Sequence, residues 1–362
     1  MIATAPRFDR KSKRDFSQTL RKRVNQYFED KGIKRTGDVR VAVKALFMFS
    51  LYFIPYFVIL FAEVTGWQYL LLSVVMGVGV AGIGLAIMHD ANHGSLSDKS
   101  WVNQLFGYSL NLIGGHYLCW KIQHNVLHHS FTNVHGVDED LEGGHVMRFT
   151  PKEPWKARHR GQHLYAWFLY SLMTFSWVFI KDFKRINKYH SMGLVEAQGA
   201  TYWGTMIFLA VSKVLYIGYM IVLPMVMGYA WWVVLGSFVV MHMIGGLMLA
   251  MIFQPAHVME DHEFIENDRE VIEESYESHQ LTTTSNFAPT NKILTWYCGG
   301  LNYQVEHHIF PNVSHVHYPA ISSIVKETAR EFSLPYRSVA SFREALKIHQ
   351  RTLRKLGDPA WT

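Results

Sequence analysis

Four long, predominantly apolar runs, at residues 41–61, 67–88, 203–226 and 231–253, constrain this chain more than any other feature. An α-helix rises about 1.5 Å per residue, so about 20 apolar residues cross the hydrocarbon core of a bilayer. Each run is long enough. Their blemishes are Lys44, near the start of the first and able to snorkel to the headgroups, and Lys213 inside the third. Composition agrees: 49% of residues are apolar and 18% are charged, against roughly 25% charged in ordinary soluble domains. A fifth stretch, Leu164 to Ile180, is shorter, carries Ser171, Thr174 and Ser176, and stops at Lys181.

Charge sets the expected sides. The links inside each pair of runs are short: "AEVTG" holds one acid and no base, and "MGYA" holds no charge. Basic residues gather elsewhere, at Arg10, Lys11, Lys13, Arg14, Arg21, Lys22 and Arg23, and at Lys181, Lys184, Arg185 and Lys188. The positive-inside tendency therefore predicts cytoplasmic termini and a cytoplasmic 89–202 loop, with two helical hairpins dipping into the bilayer. Trp67, Trp203, Trp231 and Trp232 suit an interfacial belt. A spanning Leu164–Ile180 would throw the two ends of the chain's chemistry onto opposite faces, so it is expected to be an interfacial or buried cytosolic helix. Glycine-broken 101–120 is expected to lie the same way. The polar, basic head shows no early apolar stretch of a cleaved signal. Cys119 and Cys298 predict no disulfide framework. The divisions expected are a basic cytosolic segment, 1–40, a membrane domain, 41–320, and a cytosolic helical segment, 321–362. In the last, 338–357 reads as an amphipathic helix with Phe342, Leu346 and Leu353 near one face.

Twenty histidines are abnormal for this length, and histidine is the commonest metal-ligand side chain. "HDANH" places His89 and His93 four apart, on one face of a continuing helix. "HNVLHH" repeats that geometry with His124 and His128 and adds His129. "QVEHH" gathers Gln304, His307 and His308 within about one turn. "FQPAH" places His257 at the end of the fourth run. All eight histidines fall on the predicted cytosolic side, and eight imidazoles suit two metals with about four each. Imidazole accepts iron, zinc, copper or nickel, so ligand type leaves the metal open. Metal-bound imidazoles commonly donate their other N–H to a carboxylate, and Asp90, Asp138, Glu139, Asp140, Asp261 and Glu306 are candidates. His159, His163, His190, His279 and His349 are expected to be solvated. His242, mid-span, is read as a polar contact between helices or an intramembrane functional group. His262, His315 and His317 are left outside the ligand set.

The three motifs "HDANH", "HNVLHH" and "QVEHH", in this order and around two membrane hairpins, resemble the histidine boxes of membrane-bound fatty acid desaturases over roughly residues 40–320. With glutamine heading the third box, "GGLNYQVEHHIFP" resembles the front-end type, which adds a cis double bond between an existing one and the carboxyl end. The resemblance implies an all-α integral membrane protein of four transmembrane helices with a cytosolic helical cap. It implies two iron ions that use O2 to take two hydrogens from a long-chain acyl-CoA or acyl-lipid, with no bound haem. The implied ligands are His89, His93, His124, His128, His129, His307, His308 and, as an extra ligand, His257. Gln304 would contribute weakly or through water. Relatives often hold a metal-bound water with an asparagine four positions before that extra histidine, whereas here Gln254 precedes it by three.

The chemistry is consistent with that reading. A C–H bond deep in a saturated chain has neither an acidic proton nor a leaving group, so a redox metal must carry the hard step. The protein then places one methylene pair and keeps water out. A narrow apolar tunnel is expected between the spans and 101–120. The chain has no "HPGG" haem motif, and its head of about 40 residues is short for a fused haem domain. A separate electron donor is therefore expected, a ferredoxin or a cytochrome b5. The net charge of +6 could steer an acidic redox partner, though for residues 10–23 fixing topology and meeting anionic lipid is the preferred reading. The bilayer is the other expected partner, nucleic acid is not, and a bacterial inner membrane fits better than the endoplasmic reticulum. A di-iron hydroxylase, a ketolase or a sphingolipid desaturase would share the boxes. A zinc membrane hydrolase would want an "HExxH" that is absent. A transporter would place its ligands near mid-bilayer.

Overall fold

A computed structural model describes residues 6–9, 11–143, 146–267 and 271–361. Arg10, one of the bases counted above, lies outside them. The described chain is mostly helical, and its strands are two parallel pairs of two residues each: β1 (Arg7–Phe8) with β2 (Val271–Ile272), and β3 (Asn286–Phe287) with β4 (Ser338–Val339).

The basic head forms α1 (Arg14–Lys31), because Phe16, Leu20, Val24 and Phe28 recur every fourth residue and make one buried stripe. Next come α2 (Val39–Phe61) and α3 (Gly66–Asn92), two of the four helices long and apolar enough to cross a membrane. Asp38 caps α2 by accepting the Arg40 N–H, and a Thr65–Gln68 capping box starts α3. The 101–120 region is broken as its glycines predict, into α4 (Ser100–Gly107), α5 (Ser109–Leu112) and α6 (Tyr117–Trp120). A π-helical segment, Lys121–His128, follows α6 directly. Then α7 (Gln162–Ser171) and α8 (Met173–Ser191) meet at a 57° bend. The remaining long apolar helices are α9 (Tyr202–Val226) and α10 (Trp231–His257). Shorter elements complete the chain: α11 (Tyr276–Thr283), α12 (Lys292–Tyr297), α13 (Gln304–Ile309), α14 (Tyr318–Glu331) and α15 (Phe342–Leu356).

The long helices differ in burial. In its most apolar window α3 is 67% buried, whereas α9 is 22% buried. Thus α3 is the central post, and α9 turns Trp203, Ile207, Val211 and Val214 outward, as a lipid-facing helix does. The most extensive helix packing joins α3 to α10. Gly77 allows it, since a Cβ there would lie 2.6 Å from the Met241 carbonyl oxygen. Both helices outrun their apolar stretches, to Asn92 and His257, and carry His89 and His257 beyond the apolar region.

Packing corrects some of these expectations and bears out others. Lys44 does not snorkel: it is 3% exposed, with Nζ 2.6 Å from His315 Nε2. Lys213 donates to the Gly114 and Trp177 carbonyls and pairs with Asp182 at 2.6 Å. His242 is a polar contact between helices, bonded to Tyr216 and Thr174. His190 is exposed and His163 is half-buried, but His159, His279 and His349 are buried rather than solvated. Helix α14 packs on α1.

Candidate metal centre and its cavity

The eight histidines arrive from four separated parts of the chain. The end of α3 supplies His89, with His93 at its C-cap. The segment after α6 supplies His124, His128 and His129. The last turn of α10 supplies His257, and α13 supplies His307 and His308. All are buried except His93, which is half-buried.

Ring nitrogens fall into groups whose members lie within 4.8 Å of one another: His89, His93, His124 and His307 in one, and His128, His257 and His308 in another. A third, His129, His307 and His308, bridges them. The π-helical segment brings His129 to His124. Its bonding is i to i+5, shown where the His129 N–H reaches the His124 carbonyl at 2.9 Å. His124 Nε2 therefore approaches His129 Nε2 at 3.2 Å and His89 Nε2 at 3.3 Å. His128 turns to the second group. His124 and His128 still share a face: their rings stack with centroids 5.2 Å apart, and their nitrogens group with Asp140 within 4.8 Å.

Neighbouring groups fix the tautomers. His124 Nδ1 donates to Asp140 at 2.8 Å, and His128 Nδ1 donates to Asp138 at 2.9 Å. His307 Nδ1 lies 3.1 Å from the Tyr318 hydroxyl, and His308 Nδ1 donates to Gln280 Oε1 at 2.9 Å. With Nδ1 donating, His124, His128 and His308 direct an unprotonated Nε2 inward. The Nε2 atoms of His93, His128, His307 and His308 are buried without a partner, as are both nitrogens of His257. Orphaned nitrogens cost free energy unless something accepts their lone pairs. Burial, reinforced by neighbouring imidazoles, holds His93, His129, His307 and His308 well below the usual histidine range. Burial also pushes His124 down to about 3 despite Asp140. At His128 burial opposes protonation, but the Asp138 charge outweighs it and raises the group. Neutral, inward-facing imidazoles are the ligand form of histidine, so the cluster fits a metal centre.

Of the six carboxylates proposed as supports, Asp138 and Asp140 accept hydrogen bonds from box histidines. Asp90 lies 4.0 Å from His89 Nδ1 and binds His315 Nδ1 at 2.7 Å and the Ser314 hydroxyl at 2.9 Å. Glu139 is held by Arg185, Lys188 and Tyr189, and Asp261 pairs with Arg337. Glu306 accepts from Asn286 and Tyr336, and burial pushes it up to about 7. Gln280, Tyr318 and Asn133 were not foreseen. Asn133 sits at φ +60°, where its N–H donates to Asp138 and its side-chain amide to the His257 carbonyl. It closes the "HNVLHHSFTN" stretch, which was the only local signal. Gln254 and Gln304 are buried, each with its Oε1 unpartnered.

A cavity of about 450 Å³ adjoins the cluster at His89, His124, His307, Gln254 and Gln304. Its apolar part is lined from α3 and α10, by Leu85, Met88, Leu249 and Phe253, and from 101–120, by Leu110 and Cys119. Elsewhere it meets charged groups, Glu139, Glu142, Lys181 and Arg185. The cavity lies where the apolar tunnel was expected.

A profile of the fatty acid desaturase family matches residues 65–340. The chain belongs to the fatty acid desaturase family. It is 35% identical over 347 residues to a sn-1 linoleoyl-lipid 6-desaturase of Arthrospira platensis, covering 94% of this chain and 92% of that one. A sn-1 linoleoyl-lipid 6-desaturase of Synechocystis sp. is 32% identical, with 98% and 99% covered. An acyl-lipid (8-3)-desaturase of Physcomitrium patens is 36% identical, over 95% of this chain and 72% of that relative. This desaturase is a membrane oxidoreductase acting on fatty acyl lipids, with a histidine cluster compatible with a metal centre.

Proposed function

We propose that the chain is a front-end acyl-lipid desaturase that inserts a cis double bond into an already unsaturated long acyl chain. The observation that carries this is the convergence of eight inward-facing imidazoles beside an apolar cavity. His89, His93, His124 and His307 would hold one iron ion. His128, His257 and His308 would hold the other, with His129 between them and Gln304, directly or through water, beside them. When bound, the iron pair supplies the oxidising power, drawn from O2, for removing two hydrogens from unactivated methylenes.

The chain's own residues do the rest. Asp138, Asp140, Gln280 and Tyr318 orient rings before any metal arrives, so little reorganisation is left. Leu85, Met88, Leu249 and Phe253 hold the acyl chain and exclude water. The charged groups at Glu139, Glu142, Lys181 and Arg185 meet the polar end of the lipid. An acyl-lipid carrier is preferred to CoA because three similar proteins are named for lipid-linked acyl chains. Two electrons come from a separate carrier, a ferredoxin or a cytochrome b5. We place the helical cap, both termini and the metal centre on the cytoplasmic side, with α2–α3 and α9–α10 as two membrane hairpins, on the strength of the basic flanks.

Expression in a host fed linoleate, with mass spectrometry of the fatty acids, tests the reading. A new double bond and about two iron atoms per chain are expected. His128→Ala and His307→Ala should insert in the membrane and form no product. A hydroxylated or oxo product, a single zinc, or full activity in those variants would overturn it.

A further inference from the structure

His116 is a histidine to which the metal centre assigns no role. It is 1% exposed and caps the N-terminus of α6, its Nδ1 accepting the Cys119 backbone N–H at 3.3 Å. An accepting Nδ1 leaves the ring proton on Nε2. That Nε2 is buried and has no partner. Two residues before it, the Gly114 carbonyl accepts from Lys213, which also pairs with Asp182.

The ring is also well positioned. Tyr117 and Phe208 flank it at centroid distances of 5.5 and 5.7 Å. Gly114, at φ +92°, makes the turn just before it, where a Cβ would lie 2.7 Å from Val178 and 2.9 Å from Tyr216. His116 lines the same cavity as the metal-facing His89, His124 and His307, beside Leu110, Gly115 and Cys119. It precedes His124 by eight residues of continuous helix, about 12 Å at α-helical rise and less through the π-helical part.

We propose that His116 determines specificity by offering its Nε2–H to a cis double bond already present in the bound acyl chain, distal to the carbons at the metal centre. This rests on the reading that the acyl chain occupies the cavity. A methylene chain has only two kinds of acceptor: the ester oxygens at its attached end and the π electrons of its double bonds. The cavity's charged groups suit the ester end, and where the methylene chain passes His116 the acceptor it can offer is a π face. An N–H···π contact is weak, but the comparison is with a saturated chain that leaves a buried donor unsatisfied, and that penalty falls on the wrong substrate.

The test is a competition in cells expressing the full chain, fed equal amounts of chains of one length with none, one or two cis double bonds. The wild type should favour the diunsaturated chain. His116→Leu should lower that preference by about threefold or more, while His116→Gln and His116→Asn, which retain an N–H donor, should keep most of it. A wild type that desaturates all three chains equally overturns the proposal, as does an unchanged preference in His116→Leu. A moved double bond with the preference intact overturns it too, because that result belongs to a donor holding the ester. A wild type that desaturates none of them removes the proposed function itself, so the two failures are distinct.

Discussion

Asp138 and Asp140 show how little at this site is decided by ligands alone. Each accepts from the Nδ1 of a box histidine, at 2.9 and 2.8 Å, and so fixes which nitrogen faces inward. Losing such a support typically costs 10- to 100-fold in metal affinity, so Asp138→Asn and Asp140→Asn are expected to reach the membrane with iron affinity lowered by about that factor. Iron content across a chelator series reads it out. Two buried histidines outside the ligand set impose an acid limit. Burial pushes His279 and His349 down to about 4 from an ordinary 6.5, outweighing the backbone carbonyls of Thr132 and Val258 that favour the charged form. Above pH 6.5 both rings are neutral in the folded and unfolded chain alike. Between 6.5 and 4 the unfolded chain binds protons that the folded one refuses. Stability is therefore expected to fall as pH falls through that window and to level off below it. Thermal midpoints in detergent across this range should show it, and His349→Gln should remove one proton's share of the slope. These buried histidines were not legible in the sequence, because burial comes from the helices that later cover them.

At the scale of elements, small residues decide which helices meet. Gly246 on α10 lies against α7, where an added Cβ would sit 2.6 Å from the Ser171 carbonyl oxygen. A backbone oxygen cannot swing aside as a side-chain tip can. Gly246→Val should therefore part α7 from α10 and destabilise the protein by about 1–3 kcal/mol. The prediction is a lowered thermal midpoint, with iron bound before heating. Gly236, on the same helix with nothing near its Cβ position, serves as the control: Gly236→Ala should leave the midpoint nearly unchanged. Element types were largely readable. Twenty-residue apolar runs, the Thr65–Gln68 box and the fourfold spacing of Phe16, Leu20, Val24 and Phe28 are local signals. The π-helical winding at Lys121–His128 was not, and it brings His129 beside His124.

Across the whole molecule, the metal centre would tie the ends of α3 and α10 to the segment after α6 and to α13. Metal bound only by the folded state adds its binding free energy to stability. Removing iron with a chelator is expected to lower the thermal midpoint and abolish activity together, and ferrous iron should restore both; an unmoved midpoint would mean that no ion cross-links these segments. By itself the sequence determined which segments are apolar enough to cross a bilayer and which short stretches are rich in imidazole, because hydropathy and residue spacing are properties of neighbours along the chain. Only the tertiary structure decided which imidazoles share a centre, that Asp138 and Asp140 support them while Asp90 turns to His315, and that Lys44 lies buried against that same ring. Those outcomes depend on groups up to 271 residues apart, whose meeting is set by the packing of α2, α3 and α10 rather than by any local pattern.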